Sequence, residues 1–148
     1  IFMIRLFIYK NIMIKSNINK IINCNIKDVF NRVSDFQNYH WRNDIIKVEI
    51  LSDTNFIEYS KDGYKTFFEI TLLENCKSIK LNLENENIKG YFIGNFKCID
   101  NDKTLIDFTE YIEIKNFLKK IIMMPFIKPY INKQQNQYVN DLINSFNK

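Results

Sequence analysis

The chain has 148 residues, with 21 Lys and Arg against 17 Asp and Glu, and 46% of it is hydrophobic. That length fits one domain with a single core, and 26% charged residues is ordinary for a globular chain. Arg5, Arg32 and Arg42 are its only arginines and no basic run occurs, which argues against a nucleic-acid face, because bidentate recognition of phosphates and base edges favours arginine. Ile1 to Ile12 is apolar but interrupted by Arg5 and Lys10. It is too short to span a bilayer and lacks a small-residue cleavage site. Residue 1 is not Met, so Met3 and Met13 are both candidate starts; residues 1–12 read as an extension upstream of a domain covering residues 13–148.

Met13 to Asn23 alternates loosely and reads as a first strand. Ile26, Val29, Phe30 and Val33 then fall at helical spacing behind Asn25, a suitable N-cap, with Asp28 in the first turn. Asp35 to Asn43 is a polar and aromatic connection that reads as a second short helix. Six strand-like runs follow: 44–51, with Ile46, Val48 and Ile50 on one parity, then 55–61, 64–73, 77–84, 88–99 and 103–115. The turn signals between them are short, and Asp62-Gly63 is the clearest hairpin, so the runs predict an antiparallel meander. From Phe117 the period becomes helical. Pro125 and Pro129 are expected to break or kink its opening, after which Ile131, Tyr138, Leu142, Ile143 and Phe146 form one apolar stripe. A terminal helix with one apolar face must bury it, and the sheet is the only large surface available.

Ile, Asn and Lys are over-used and Ala is absent, a pattern of AT-rich codon bias, so the asparagines carry no functional signal. Cys24, Cys76 and Cys98 show no CxxC spacing and His40 is the single histidine, which points to no metal and favours reduced thiols in a cytoplasmic protein over disulfides, the open alternative. No GxGxxG or P-loop spacing is present, so no nucleotide cofactor is expected.

Several stretches carry a resemblance. Ile26 to Phe30 followed by Ser34 to Phe36 and Trp41 to Asp44, then Gly90 to Phe96, Thr104 to Glu110 and Tyr138 to Leu142, stand in the order found in bacterial members of the START-like superfamily (SRPBCC), which includes Bet v 1 relatives and polyketide cyclase/dehydrase-type proteins. The resemblance covers about Met13 to the end. It implies an α+β helix-grip fold: a curved antiparallel sheet of about seven strands around a long C-terminal helix, with two short helices after strand 1 and an internal cavity between sheet and helix. The glycine-rich loop of the plant Bet v 1 relatives is missing. A fold of this kind does not by itself define a reaction.

The strongest chemical signal is a charge out of place. Ile106, Phe108, Glu110, Ile112 and Ile114 share one strand face, so Glu110 stands among apolar neighbours. A buried carboxyl must be paired, neutralised or turned toward a wet cavity, and a neutralised one is a candidate acid/base. The alternative is a bulge or a structural ion pair. Glu58 is a second candidate, since Phe56, Glu58 and Ser60 share a parity, although either face of that strand could be the buried one. Trp41 reads as cavity wall or as a plug between helix and sheet, and His40 as a surface residue. Phe68, Phe92, Phe96, Phe108, Phe126, Tyr130 and Tyr138 fall on faces that should turn inward, as packed core or as the apolar wall of a ligand site. Gly90 and Gly94 mark a bend or close approach in their strand.

These features lead to a protein that binds or transports a small hydrophobic molecule, such as a lipid. No nucleic acid or integral membrane contact is expected, and the oligomeric state stays open. The alternatives are a cyclase- or hydratase-type enzyme using Glu110 and Glu58, or a protein-interaction domain without a ligand.

Overall fold

The computed structural model describes residues 13–147; the extension expected at residues 1–12 lies outside them. Strand β1 (Ile14–Ile22) leads into helix α1 (Ile26–Ser34). Six strands follow, β2 (Ile45–Ile50), β3 (Asn55–Ser60), β4 (Lys65–Glu74), β5 (Ser78–Glu84), β6 (Ile88–Asp100) and β7 (Lys103–Ile114), and helix α2 (Phe117–Phe146) ends the described chain. The sheet order is β1-β7-β6-β5-β4-β3-β2, and every pairing is antiparallel. β2 to β7 are thus a continuous meander of hairpins, and β1 adds to its far edge beside β7.

Local chemistry accounts for these elements. The Asn25 side chain accepts from the Asp28 amide at 3.0 Å and caps α1, whose Val29, Phe30 and Val33 are buried. Gly63 sits in the β3–β4 turn at φ +88°, a conformation that glycine adopts without strain. The inner face of β7 buries Thr104, Ile106, Phe108, Ile112 and Ile114, and Glu110 alone carries a charge among them. Gly94 has no room for a side chain: a Cβ there would lie 2.9 Å from the Phe92 ring and 3.2 Å from that of Phe108. Those two rings consequently meet edge to face over the strand, 5.3 Å between centroids.

Helix α2 lies across the concave side. Gln135 pins it, donating to the Phe108 carbonyl at 3.1 Å and accepting from the Ser16 hydroxyl at 2.7 Å, so that the helix is fastened to β1 and β7. The buried side chains form two apolar clusters. One surrounds Val29, Phe30, Ile79, Ile106, Val139 and Leu142; the other surrounds Ile14, Leu83, Ile112, Ile114, Ile127 and Ile131.

Four expectations from the sequence are corrected. Residues 35–43 form turns and irregular chain, not a second helix. Tertiary partners hold that segment: Phe36 stacks on Phe56 at 4.5 Å, and Asp141 accepts from both the amide and the side chain of Asn43. In β2 a register shift between Ile45 and Lys47 resets the alternation, so Ile45 is buried while Ile46 and Ile50 are exposed. Helix α2 is not broken at Pro125 or Pro129 and runs as one helix through both, although each ring removes an amide donor. Finally, Phe126 and Tyr130 do not turn into a core. Phe126 is 71% exposed and Tyr130 43%, because the first half of α2 overhangs an opening beside β3 and the β3–β4 turn.

Candidate functional site

Two chambers occupy the space between the inner sheet face and α2. The narrower, about 220 Å³, is walled by Trp41, Phe68, Phe92, Phe108 and Tyr138. The wider, about 530 Å³, is walled by Leu83, Ile88, Ile112, Met123, Ile127 and Ile131 and opens past Tyr64, Phe126 and Tyr130. Both are lined by Asp44, Glu58, Phe68, Glu110 and Gln134, so those residues stand where the two meet.

The polar groups at this junction are organised around Arg42. Its guanidinium donates to Glu58 at 2.6 Å and 3.3 Å and to Asp44 at 2.9 Å and 3.2 Å, and it lies over the Tyr138 ring at 5.0 Å. Burial works against this charge, but Glu58 and then Asp44 outweigh it and hold the guanidinium above its ordinary pKa. Arg42 is therefore a fully compensated cation. Glu110 is different. No described residue hydrogen-bonds or ion-pairs with its carboxyl. Burial above all, then the Glu58 charge, pushes it up to about 7 against the pull of Arg42.

Two further polar groups face this space. Burial raises the Tyr138 hydroxyl above the usual tyrosine range, with Arg42 opposing and Glu58 reinforcing the shift. The Trp41 indole N–H is buried with no acceptor among the described residues, and its ring packs edge-on to Tyr138 at 5.2 Å. At the opening of the wider chamber, burial and then Asp62 raise the Tyr130 hydroxyl, so α2 and the β3–β4 turn face one another across it.

The architecture has close parallels among solved structures. No family model matches the chain, and no curated protein matches it in sequence. In three dimensions it is similar to the Zhui aromatase/cyclase from Streptomyces sp. R1128, with TM-score 0.80 at 10% identity over 90% of this chain and 93% of that one. A START superfamily protein from Mycobacterium smegmatis gives TM-score 0.77 at 14% identity, covering 88% of this chain and 95% of the other. The chain has the START-like fold. A norcoclaurine synthase mutant from Thalictrum flavum, in complex with a transition-state analogue, is also similar, with TM-score 0.65 at 13% identity over 91% of this chain and 96% of that one.

Within the START-like fold the residues singled out from sequence separate into groups. Glu110, Glu58, Trp41, Phe68, Phe92, Phe108 and Tyr138 all line the narrower chamber. Phe126 and Tyr130 line the wider one, at its exposed rim. Phe96 lines neither: it is buried between Phe30 and Phe108, at 5.2 Å and 5.6 Å between centroids. Glu58 points inward, but as the ion-pair partner of Arg42. His40 is exposed and lies tilted against the Tyr39 ring, 4.6 Å between centroids.

Sequence reasoning missed Arg42, Asp44, Gln134 and Asp141. Asp141 had a legible signal. It falls between Tyr138 and Leu142 on the apolar stripe of α2, as Glu110 falls on the apolar face of β7, and it is 5% exposed. Arg42 carried no such signal, because its partner Glu58 is 16 residues away on another element. Among the described residues no group of three or more His, Cys, Asp or Glu side chains is placed to hold a metal ion.

Proposed function

We propose that the protein binds a small, largely apolar molecule between its sheet and its C-terminal helix. The observation that carries this reading is the pair of adjoining chambers, about 220 Å³ and 530 Å³, whose exposed wall is mostly apolar and aromatic, with polar side chains converging where the two meet. Concave apolar sites with a few converging polar groups are the usual form of small-molecule sites. The unsatisfied Trp41 N–H supports it, since an unpaired buried donor costs about 1–3 kcal/mol, which an acceptor on a bound molecule would recover. The START-like neighbours are consistent with it through fold alone.

Uptake of the uncharged dye Nile red tests the proposal. Wild-type protein is expected to bind it and enhance its emission. Leu83→Trp, which fills the wider chamber from the β5 wall, is expected to weaken that binding at least tenfold while the thermal transition stays cooperative. Equal dye binding by both proteins would place the dye elsewhere and remove the support.

A second reading is favoured by one observation, the carboxyl of Glu110 held near pH 7 in a chamber wall. Such a group is suited to general acid or base work on the bound molecule. For any substrate found to turn over, Glu110→Gln is expected to lower kcat by about 100-fold or more. An unchanged kcat would leave binding as the whole function.

A further inference from the structure

The chain as a whole is basic, with a formal net charge of +4. Its chamber walls are not. At the junction three carboxyl groups, Asp44, Glu58 and Glu110, face a single cation, Arg42. The wider chamber adds Asp62 and Lys61, which offset one another, and the narrower adds Arg32 and Asp35 at its outer end. Arg32 is already engaged there: it donates to the Ser145 carbonyl at 3.1 Å and lies over the Phe146 ring at 4.4 Å. A basic protein thus surrounds an acidic interior.

The distribution of partners sharpens this. Arg42 is held by two carboxylates, and together they leave one negative charge in excess before Glu110 is counted. An incoming carboxylate or phosphate would find no uncompensated cation at the junction and would meet Glu58, Asp44 and Glu110. Glu110, half-buried in the wall, has no described partner, although taking an unpaired carboxyl partly out of water is costly. The walls beside it, Trp41, Phe68, Phe92, Phe108 and Tyr138, present aromatic rings, whose faces attract cations. Excess negative charge, an unpaired half-buried carboxyl and aromatic walls meet in one place.

We propose that the molecule bound between sheet and helix is an organic cation: an apolar body carrying a protonated amine that pairs with Glu110. This rests on the ligand-binding reading above and deepens it by assigning the charge of the ligand. The amine head sits at the junction of the chambers and the apolar body extends into the wider one, against Leu83, Ile112, Ile127 and Ile131.

Three probes that share one apolar body isolate the head group: octylamine, 1-octanol and octanoate. The chain's only tryptophan, Trp41, lines the narrower chamber, so its fluorescence reports occupancy directly. Octylamine is expected to bind at least tenfold tighter than octanol, and octanoate to bind most weakly. In Glu110→Gln, with its fold verified by circular dichroism, the ratio of amine to alcohol affinity is expected to fall toward one. Octanoate binding as tightly as octylamine overturns the proposal, and so does an amine preference that survives Glu110→Gln. If all three probes bind equally, the ligand is apolar but its charge is not selected. If none binds, by fluorescence or by native mass spectrometry, the ligand-binding reading falls together with the cation.

Discussion

Glu110 owes its state to burial and two neighbours, and each acts in a known direction. Burial disfavours the ionised form, Glu58 repels it, and Arg42 attracts it but is already shared with Glu58 and Asp44. With a folded pKa of about 7 against 4.5 for the free group, the folded protein binds more protons than the unfolded chain between those values. Stability contributed by this group is therefore full below pH 4.5 and is lost as pH rises toward 7. Glu110→Gln is expected to raise the unfolding free energy by about 2 kcal/mol at pH 8 and to leave it nearly unchanged at pH 4. Urea melts of both proteins at the two pH values measure this, and a variant less stable at pH 8 would contradict it. A site that binds better than it folds is the usual exchange between stability and function. Glu110 was legible in the sequence because strand alternation is strict: a carboxyl between Phe108 and Ile112 on one parity has few places to go. Arg42 was not legible, since its role follows from where residues 35–44 are drawn and not from any local pattern.

At the scale of elements, the segment 35–44 shows why local pattern and structure part company. Its composition suits a short helix, but Asp141 takes both the amide of Asn43 (2.9 Å) and its side-chain nitrogen (2.7 Å). Phe36 stacks on Phe56, and Arg42 reaches Asp44 and Glu58. These contacts tie the segment to α2 and to β3, and they place Trp41 and Arg42 at the narrower chamber. Asp141→Ala leaves two donors without their acceptor and is expected to destabilise the protein by about 2 kcal/mol. Amide hydrogen exchange at Asn43 should accelerate with it; unchanged protection there would show that the segment is held by other contacts. The bulge between Ile45 and Lys47 and the passage of α2 through Pro125 and Pro129 lie in the same class. A one-residue register shift and a helix that continues through proline leave no mark on hydrophobic period, whereas the bounds of β3 to β7 were readable to within one residue.

Over the whole molecule, the two apolar clusters lie toward opposite ends of the space between sheet and helix, with the Arg42, Glu58 and Glu110 junction between them. A protein selected only for stability would close that gap with apolar side chains, because interiors pack to crystal-like density. Here the glycine at position 94 draws Phe92 and Phe108 back onto the sheet, and α2 is held away from β3 and β4 by its attachment to β1 and β7 through Gln135. Space is kept open by specific contacts. The sequence announced the grip of sheet on helix and most of the aromatic wall, but not the division into two chambers, which depends on how far α2 stands from each strand. Native mass spectrometry of the full chain, isolated from its own cells without detergent or organic solvent, tests the central claim most directly. The expected result is a stoichiometric small-molecule adduct, released by solvent extraction and blocked in Leu83→Trp; the bare polypeptide mass, with no uptake of Nile red by the same sample, would contradict it.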